Sequence, residues 1–111
     1  MRVRCRTNRS KGTRHALAIG GIYEVIGIEA GDFRIIDDLG SPVLFSPRLF
    51  SVIDRSRPTQ WRTKIMDGVE YSYAPELGKP GFFEDYHEGV KKAVIAFNRY
   101  INRHLNLTTA A

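Results

Sequence analysis

The alternation of apolar and polar side chains sets the first expectations. Val3 and Cys5 alternate with Arg2, Arg4 and Arg6 at the two-residue period of a half-buried strand. Gly20-Gly21 interrupts the chain before Ile22-Tyr-Glu-Val-Ile-Gly-Ile28, a run of β-branched and aromatic residues. Gly27 within it suggests a bulge or a tight bend. Ala30-Gly31-Asp32 reads as a turn, and Phe33 to Asp37 as the next strand, with Phe33 and Ile35 on one face and Arg34 and Ile36 on the other. Asp38-Leu-Gly40 makes a hairpin connection to Val43-Leu-Phe45. Pro47 suits the opening of a 3₁₀ turn, after which Phe50 to Asp54 returns to strand character. This density of short strands fits a small barrel better than an open sheet.

Beyond residue 54 the period changes. Residues 55–64 form a polar, basic connector. Gln60 to Ile65 and Val69 to Tyr73 predict a second hairpin around Asp67-Gly68, the strongest short turn signal in the chain. Residues 74–81, with Pro75, Gly78, Pro80 and Gly81, read as a loop. Phe83, Tyr86, Val90, Val94, Phe97, Ile101 and Leu105 then recur at spacings of three and four and predict one amphipathic helix. Asp85 and Glu88 have the spacing of a capping box, and Gly89 weakens the first turn. The expected organisation is a barrel at 1–54, a connector and hairpin at 55–81, and a C-terminal helix at 82–107 that lays its apolar stripe on the barrel, in one compact α+β domain.

At 111 residues, with 42% hydrophobic and 26% charged positions, the chain has the composition of a folding globular domain. It is too short for a two-domain nucleotide enzyme or a TIM barrel. No apolar run approaches the roughly 20 residues that span a bilayer. The charged N-terminus lacks an apolar stretch behind it, so a cytoplasmic location is the default expectation. The net charge of +5 is distributed in blocks: +6 over residues 1–15, −4 over 16–54, +4 over 55–64, −5 over 65–90 and +4 over 91–111. A basic total favours anionic partners, while the acidic blocks argue against a surface that is only a phosphate glove.

The order of these strands, the hairpin at Asp38-Leu-Gly40, and Phe45-Ser-Pro-Arg-Leu-Phe-Ser-Val52 resemble an SH3-like barrel, in which a proline-led 3₁₀ turn precedes the closing strand. More narrowly, residues 21–52 resemble small bacterial and phage proteins of unknown function with this barrel pattern. The resemblance covers about half the chain, implies a fold and carries no activity with it.

The chemistry-bearing residues form no catalytic constellation in the sequence. Glu84-x-x-His87 has the spacing of a di-iron bundle ligand pair, but such a site needs two copies and two further glutamates on four helices. His87 and His104 lie about 260° apart around a helix, and His15 sits in the basic N-terminal loop. His104 suits the helix C-terminus. Cys5, the only cysteine, shares a face with Val3 and reads as a buried structural thiol. GxSxG, Walker, HExxH and GxGxxG motifs are absent. No enzyme activity, cofactor or metal is therefore expected.

Basic clusters interleaved with aromatics are the remaining signal. Arg2, Arg4 and Arg6 project from one strand face at about 6.6–6.8 Å intervals, a repeat that roughly suits a phosphate backbone. Arg9, Lys11 and Arg14 extend the cluster, and Trp61 lies among Arg57, Arg62 and Lys64, where it could stack a base or receive a cation. The alternative is that these charges face solvent or pair with Asp37, Asp38, Asp54 and the acidic start of the helix. Polyproline binding is not expected, because Phe50 stands where an SH3 groove has tyrosine and the paired aromatics of that groove are missing. The expected function is a noncatalytic binding or accessory module for a protein partner or for self-association. Nucleic acid is the second expectation. The candidate binding residues are Arg2, Arg4, Arg6, Arg14, Arg57, Trp61 and Arg62.

Overall fold

The computed structural model describes residues 1–7 and 16–105. Arg9, Lys11, Arg14 and His15, and the expected end of the helix at residue 107, lie outside the described residues. The chain divides into two compact units, Met1–Ala74 and Pro75–Ala111.

The first unit is a seven-stranded, antiparallel sheet: β1 (Arg2–Cys5), β2 (Ile22–Glu29), β3 (Asp32–Ile36), β4 (Pro42–Phe45), β5 (Phe50–Asp54), β6 (Arg62–Met66) and β7 (Val69–Tyr73), with a 3₁₀ turn at Pro47–Leu49. The main path runs β4-β3-β2-β1-β5. The expected barrel does not close, because β4 and β5 are not paired with each other among the described residues. The reason lies in their connection. Ser46 caps the 3₁₀ turn through its Oγ, Pro47 stands inside it, and this is not a two-residue hairpin that would return β5 along β4. β5 instead pairs with β1, through Val3↔Val52, Arg4↔Ser51 and Cys5↔Phe50.

β2 organises the unit. One edge carries β3, and the other carries β1 at residues 22–24 and β7 at Gly27 and Ile28. The register with β3 shifts between Val25 and Gly27, so Ile26 is an extra residue. That bulge reverses the side-chain alternation and lets Tyr23, Val25 and Ile28 all enter the same core, with Val3, Cys5, Phe33, Ile35, Phe45, Leu49 and Phe50. Cys5 is buried as expected. Burial pushes its thiol pKa up, and Sγ lies 3.4 Å from the Thr7 carbonyl oxygen.

The second unit holds two helices where the sequence predicts one: α1 (Phe82–His87) and α2 (Lys91–His104). Gly89 takes φ +78°, a left-handed conformation that ends α1, and the Val90 N–H returns to the Asp85 carbonyl at 2.9 Å. The expected capping box is not made. α1 begins after Gly81, so Asp85 lies inside it and Glu88 stands at its C-terminal end. The apolar stripe survives the break. Phe83 and Phe97 pack edge to face at 6.3 Å and Tyr86 and Phe97 at 4.7 Å, holding α1 on α2. Phe83, Phe97 and Ile101 are buried, Tyr86, Val94 and Leu105 half-buried, and Val90 is exposed in the connection. No helix of the described residues is long and apolar enough to cross a membrane.

Candidate interaction surface

The hairpin β6–β7 holds a strand, β6, that is exposed at every position. Asp67 and Gly68 both have positive φ, +52° and +79°, the mark of a two-residue type I′ turn. The register follows: Met66↔Val69, Ile65↔Glu70, Lys64↔Tyr71, Thr63↔Ser72 and Arg62↔Tyr73. Among the described residues, the hairpin joins the sheet by strand pairing only through β7, at Gly27↔Tyr73 and Ile28↔Ser72 of β2. Among the described residues β6 pairs with β7 alone, and all five of its residues are exposed, with Ile65 at 65% and Met66 at 49%.

The turn fixes which backbone groups of β6 are free. Residues flanking a two-residue turn exchange hydrogen bonds, and the pattern then alternates along an antiparallel ladder. Met66, Lys64 and Arg62 therefore direct their N–H and C=O groups toward β7. Thr63 and Ile65 direct theirs outward. The opposite strand keeps the same phase: the Glu70 carbonyl points away from β6 and accepts from the Gly31 N–H at 3.1 Å.

A buried polar cluster fastens β7 to the sheet. Arg34 is only 6% exposed. Its Nε donates to Tyr73 Oη (3.0 Å), one terminal nitrogen to the Pro42 carbonyl (3.2 Å) and the other to Glu29 Oε1 (2.9 Å). Tyr73 Oη in turn donates to Glu29 Oε1 at 2.8 Å. The Tyr73 ring lies across Gly27, where a Cβ would sit 2.0 Å from it. Burial pushes the Tyr73 phenol pKa well above its ordinary value, overriding the opposite pull of Arg34. The sequence places Arg34 on a strand face with Ile36 and does not identify this cluster. A lone arginine among Phe33, Ile35 and Ile36, with an acid at the end of the preceding strand, is the available signal.

Nearer the surface, Arg57 pairs with Glu70, whose carboxylate also accepts from Ser72 Oγ, and Ser72 Oγ lies 2.8 Å from Thr63 Oγ1. The Arg57 contact is the main reason that the Glu70 carboxyl is held below its ordinary pKa.

The candidate residues from the sequence divide into paired and unpaired cations. Arg2 and Arg4 on β1 and Arg6 just after it are all exposed, as the alternation predicts. Arg2 approaches Asp54 at 3.6 Å and stands opposite Glu24 on β2, so acids flank it on both sides. Arg4 stands between Ile22 and Ser51. Trp61 is half-buried against the main core, its Nε1 buried without a hydrogen-bond partner among the described residues. The Arg57 guanidinium lies 5.7 Å from its ring centroid, so the cation that this indole receives is intramolecular. Arg62 is exposed at the start of β6. Arg14 lies outside the described residues. Glu84 and His87 are exposed on α1, and His104 leans on Tyr100 and approaches Glu76 at 3.8 Å. Among the described residues, no group of three or more His, Cys, Asp and Glu side chains could hold a metal ion.

No family model matches the chain, and neither curated proteins nor solved structures give a match.

Proposed function

We propose that the chain is a noncatalytic cytoplasmic binding module that engages another protein through its β6–β7 hairpin. The reading rests on one observation: β6 is exposed at every position, with Ile65 and Met66 beside Arg62 and Lys64. Large apolar side chains exposed on both faces of an edge strand, Ile65 on one and Met66 on the other, gain more by covering than by staying in water. The cluster of Arg34, Tyr73 and Glu29 supports this by holding the hairpin in one orientation, which lowers the ordering cost of binding. The strand order β4-β3-β2-β1-β5, with a proline-led 3₁₀ turn before β5, supports relating the scaffold to SH3-like barrels.

Nucleic-acid binding is the second reading, favoured by Arg4 and Arg6, which are exposed and make no ion pair among the described residues. Photo-crosslinking separates the two. A benzophenone amino acid at position 65 or 66 is expected to yield protein adducts in cells that make this chain, and the same group at Leu39, also exposed, is not. Nucleic-acid adducts from position 6, without protein adducts from 65 and 66, would replace the first reading by the second.

A further inference from the structure

The free edge of β6 specifies more than a patch, and the inference drawn from it rests on the function proposed above. A strand edge with outward N–H and C=O groups is a template for another strand. Here the outward groups belong to Thr63 and Ile65, and the intervening side chains of Arg62 and Lys64 lie on one face, with Met66. Three occupants compete for such an edge: a second copy of this chain, a neutral or basic strand, and an acidic one. A second copy that uses both outward residues in an antiparallel, two-fold arrangement must place Lys64 directly against its own counterpart. Arg62 brings a further positive charge into the same small interface. Like charges directly opposite destabilise a strand pair. The acids near the hairpin do not relieve this. Glu70 is engaged by Arg57, and Asp67 occupies the turn.

We propose that β6 takes up an acidic, extended segment of a partner protein as an additional strand. The main-chain groups of Thr63 and Ile65 make the ladder. Acidic side chains of the incoming strand lie opposite Arg62 and Lys64, and its apolar side chains lie opposite Ile65. Charge selects the partner and the ladder sets its register.

The test uses the full chain and three labelled peptides of about ten residues. One alternates glutamate with valine, one alternates lysine with valine, and one is the acidic peptide with a central proline. With the acidic peptide at about ten times its dissociation constant, exchange of the Thr63 and Ile65 amides is expected to slow about tenfold. The basic and proline peptides are expected to have no such effect. Replacing both Arg62 and Lys64 by glutamate is expected to weaken the acidic peptide by about tenfold or more and to admit the basic one. Ile65→Pro removes an outward N–H and no N–H of the hairpin, so it is expected to abolish peptide binding while the Gly27 and Tyr73 amide signals stay in place. Equal binding of acidic and basic peptides, unchanged binding by Ile65→Pro, or a dimer of the free protein with both amides already protected would each overturn the proposal. If strand addition fails while position 65 still gives protein adducts, the hairpin binds by its side chains alone and the protein-binding reading survives. If those adducts are missing too, both fall.

Discussion

Gly27→Val is expected to destabilise the sheet unit by about 3 kcal/mol, the upper end of what over-packing costs. For a unit of this size that lowers the melting midpoint by roughly 10 °C or more, measurable by circular dichroism and urea titration. The argument is steric. A Cβ at position 27 would stand 2.0 and 2.2 Å from two ring carbons of Tyr73. Tyr73 cannot turn away cheaply, because Arg34 Nε and Glu29 Oε1 hold its hydroxyl and the residue is buried. The valine must therefore displace β7, which pairs with β2 at two residue pairs. Gly27→Ala is expected to have the same sign. A variant that melts within a degree of the wild type would mean that Tyr73 does not lie across Gly27.

Arg34→Ala is expected to cost about 2–4 kcal/mol. It removes three hydrogen bonds, leaves the Pro42 carbonyl without that donor and opens space beside Tyr73. The side chain of Glu29 is 36% exposed, so water resolvates it in the variant and holds the cost below that of a fully buried pair. Tyr73→Phe is expected to cost about 1–2 kcal/mol. The double variant should lose less than the sum, because both singles break the same Arg34–Tyr73 bond. The pH dependence follows from Tyr73. Its folded pKa is raised above the ordinary value of 10.0, chiefly by burial. The stability it contributes is complete below pH 10 and is lost as the pH rises beyond that value. Tyr73→Phe should flatten this alkaline limb. A smaller slope of the same sign should persist from Tyr23, whose phenol is also raised by burial.

Local patterns in the sequence reached the strands because neighbouring residues determine them. Asp67-Gly68 marks its turn through the positive φ that both residues adopt, and β7 spans the expected Val69 to Tyr73. Gly27 was legible as a bulge, but the ring lying across it was not. That contact joins residues 46 positions apart, and no local period reports it. The same long-range docking explains Arg34. Alternation puts it on the outer face of β3, and the arrival of Tyr73 turns that face into an interior. Strand density predicts closure of the sheet, but the turn at Pro47–Leu49 sends β5 to β1 rather than back along β4. The sequence predicts a continuous helix because the apolar stripe keeps its spacing on both sides of Gly89. Only the left-handed backbone there separates α1 from α2. Charge runs located the basic residues but not their partners. Arg2 and Arg57 are engaged by Asp54 and Glu70, and a composition count gives free and paired arginines the same weight.

Strand addition at β6 needs outer backbone groups that stand ready and unfilled. Amide hydrogen exchange of the free protein, resolved residue by residue across β6, tests this most directly. Slow exchange at Arg62, Lys64 and Met66, alternating with nearly unprotected rates at Thr63 and Ile65, is the expected pattern. Even protection over all five residues would mean that the edge is already occupied, and even absence of protection would mean that the hairpin is not formed; either result contradicts the account.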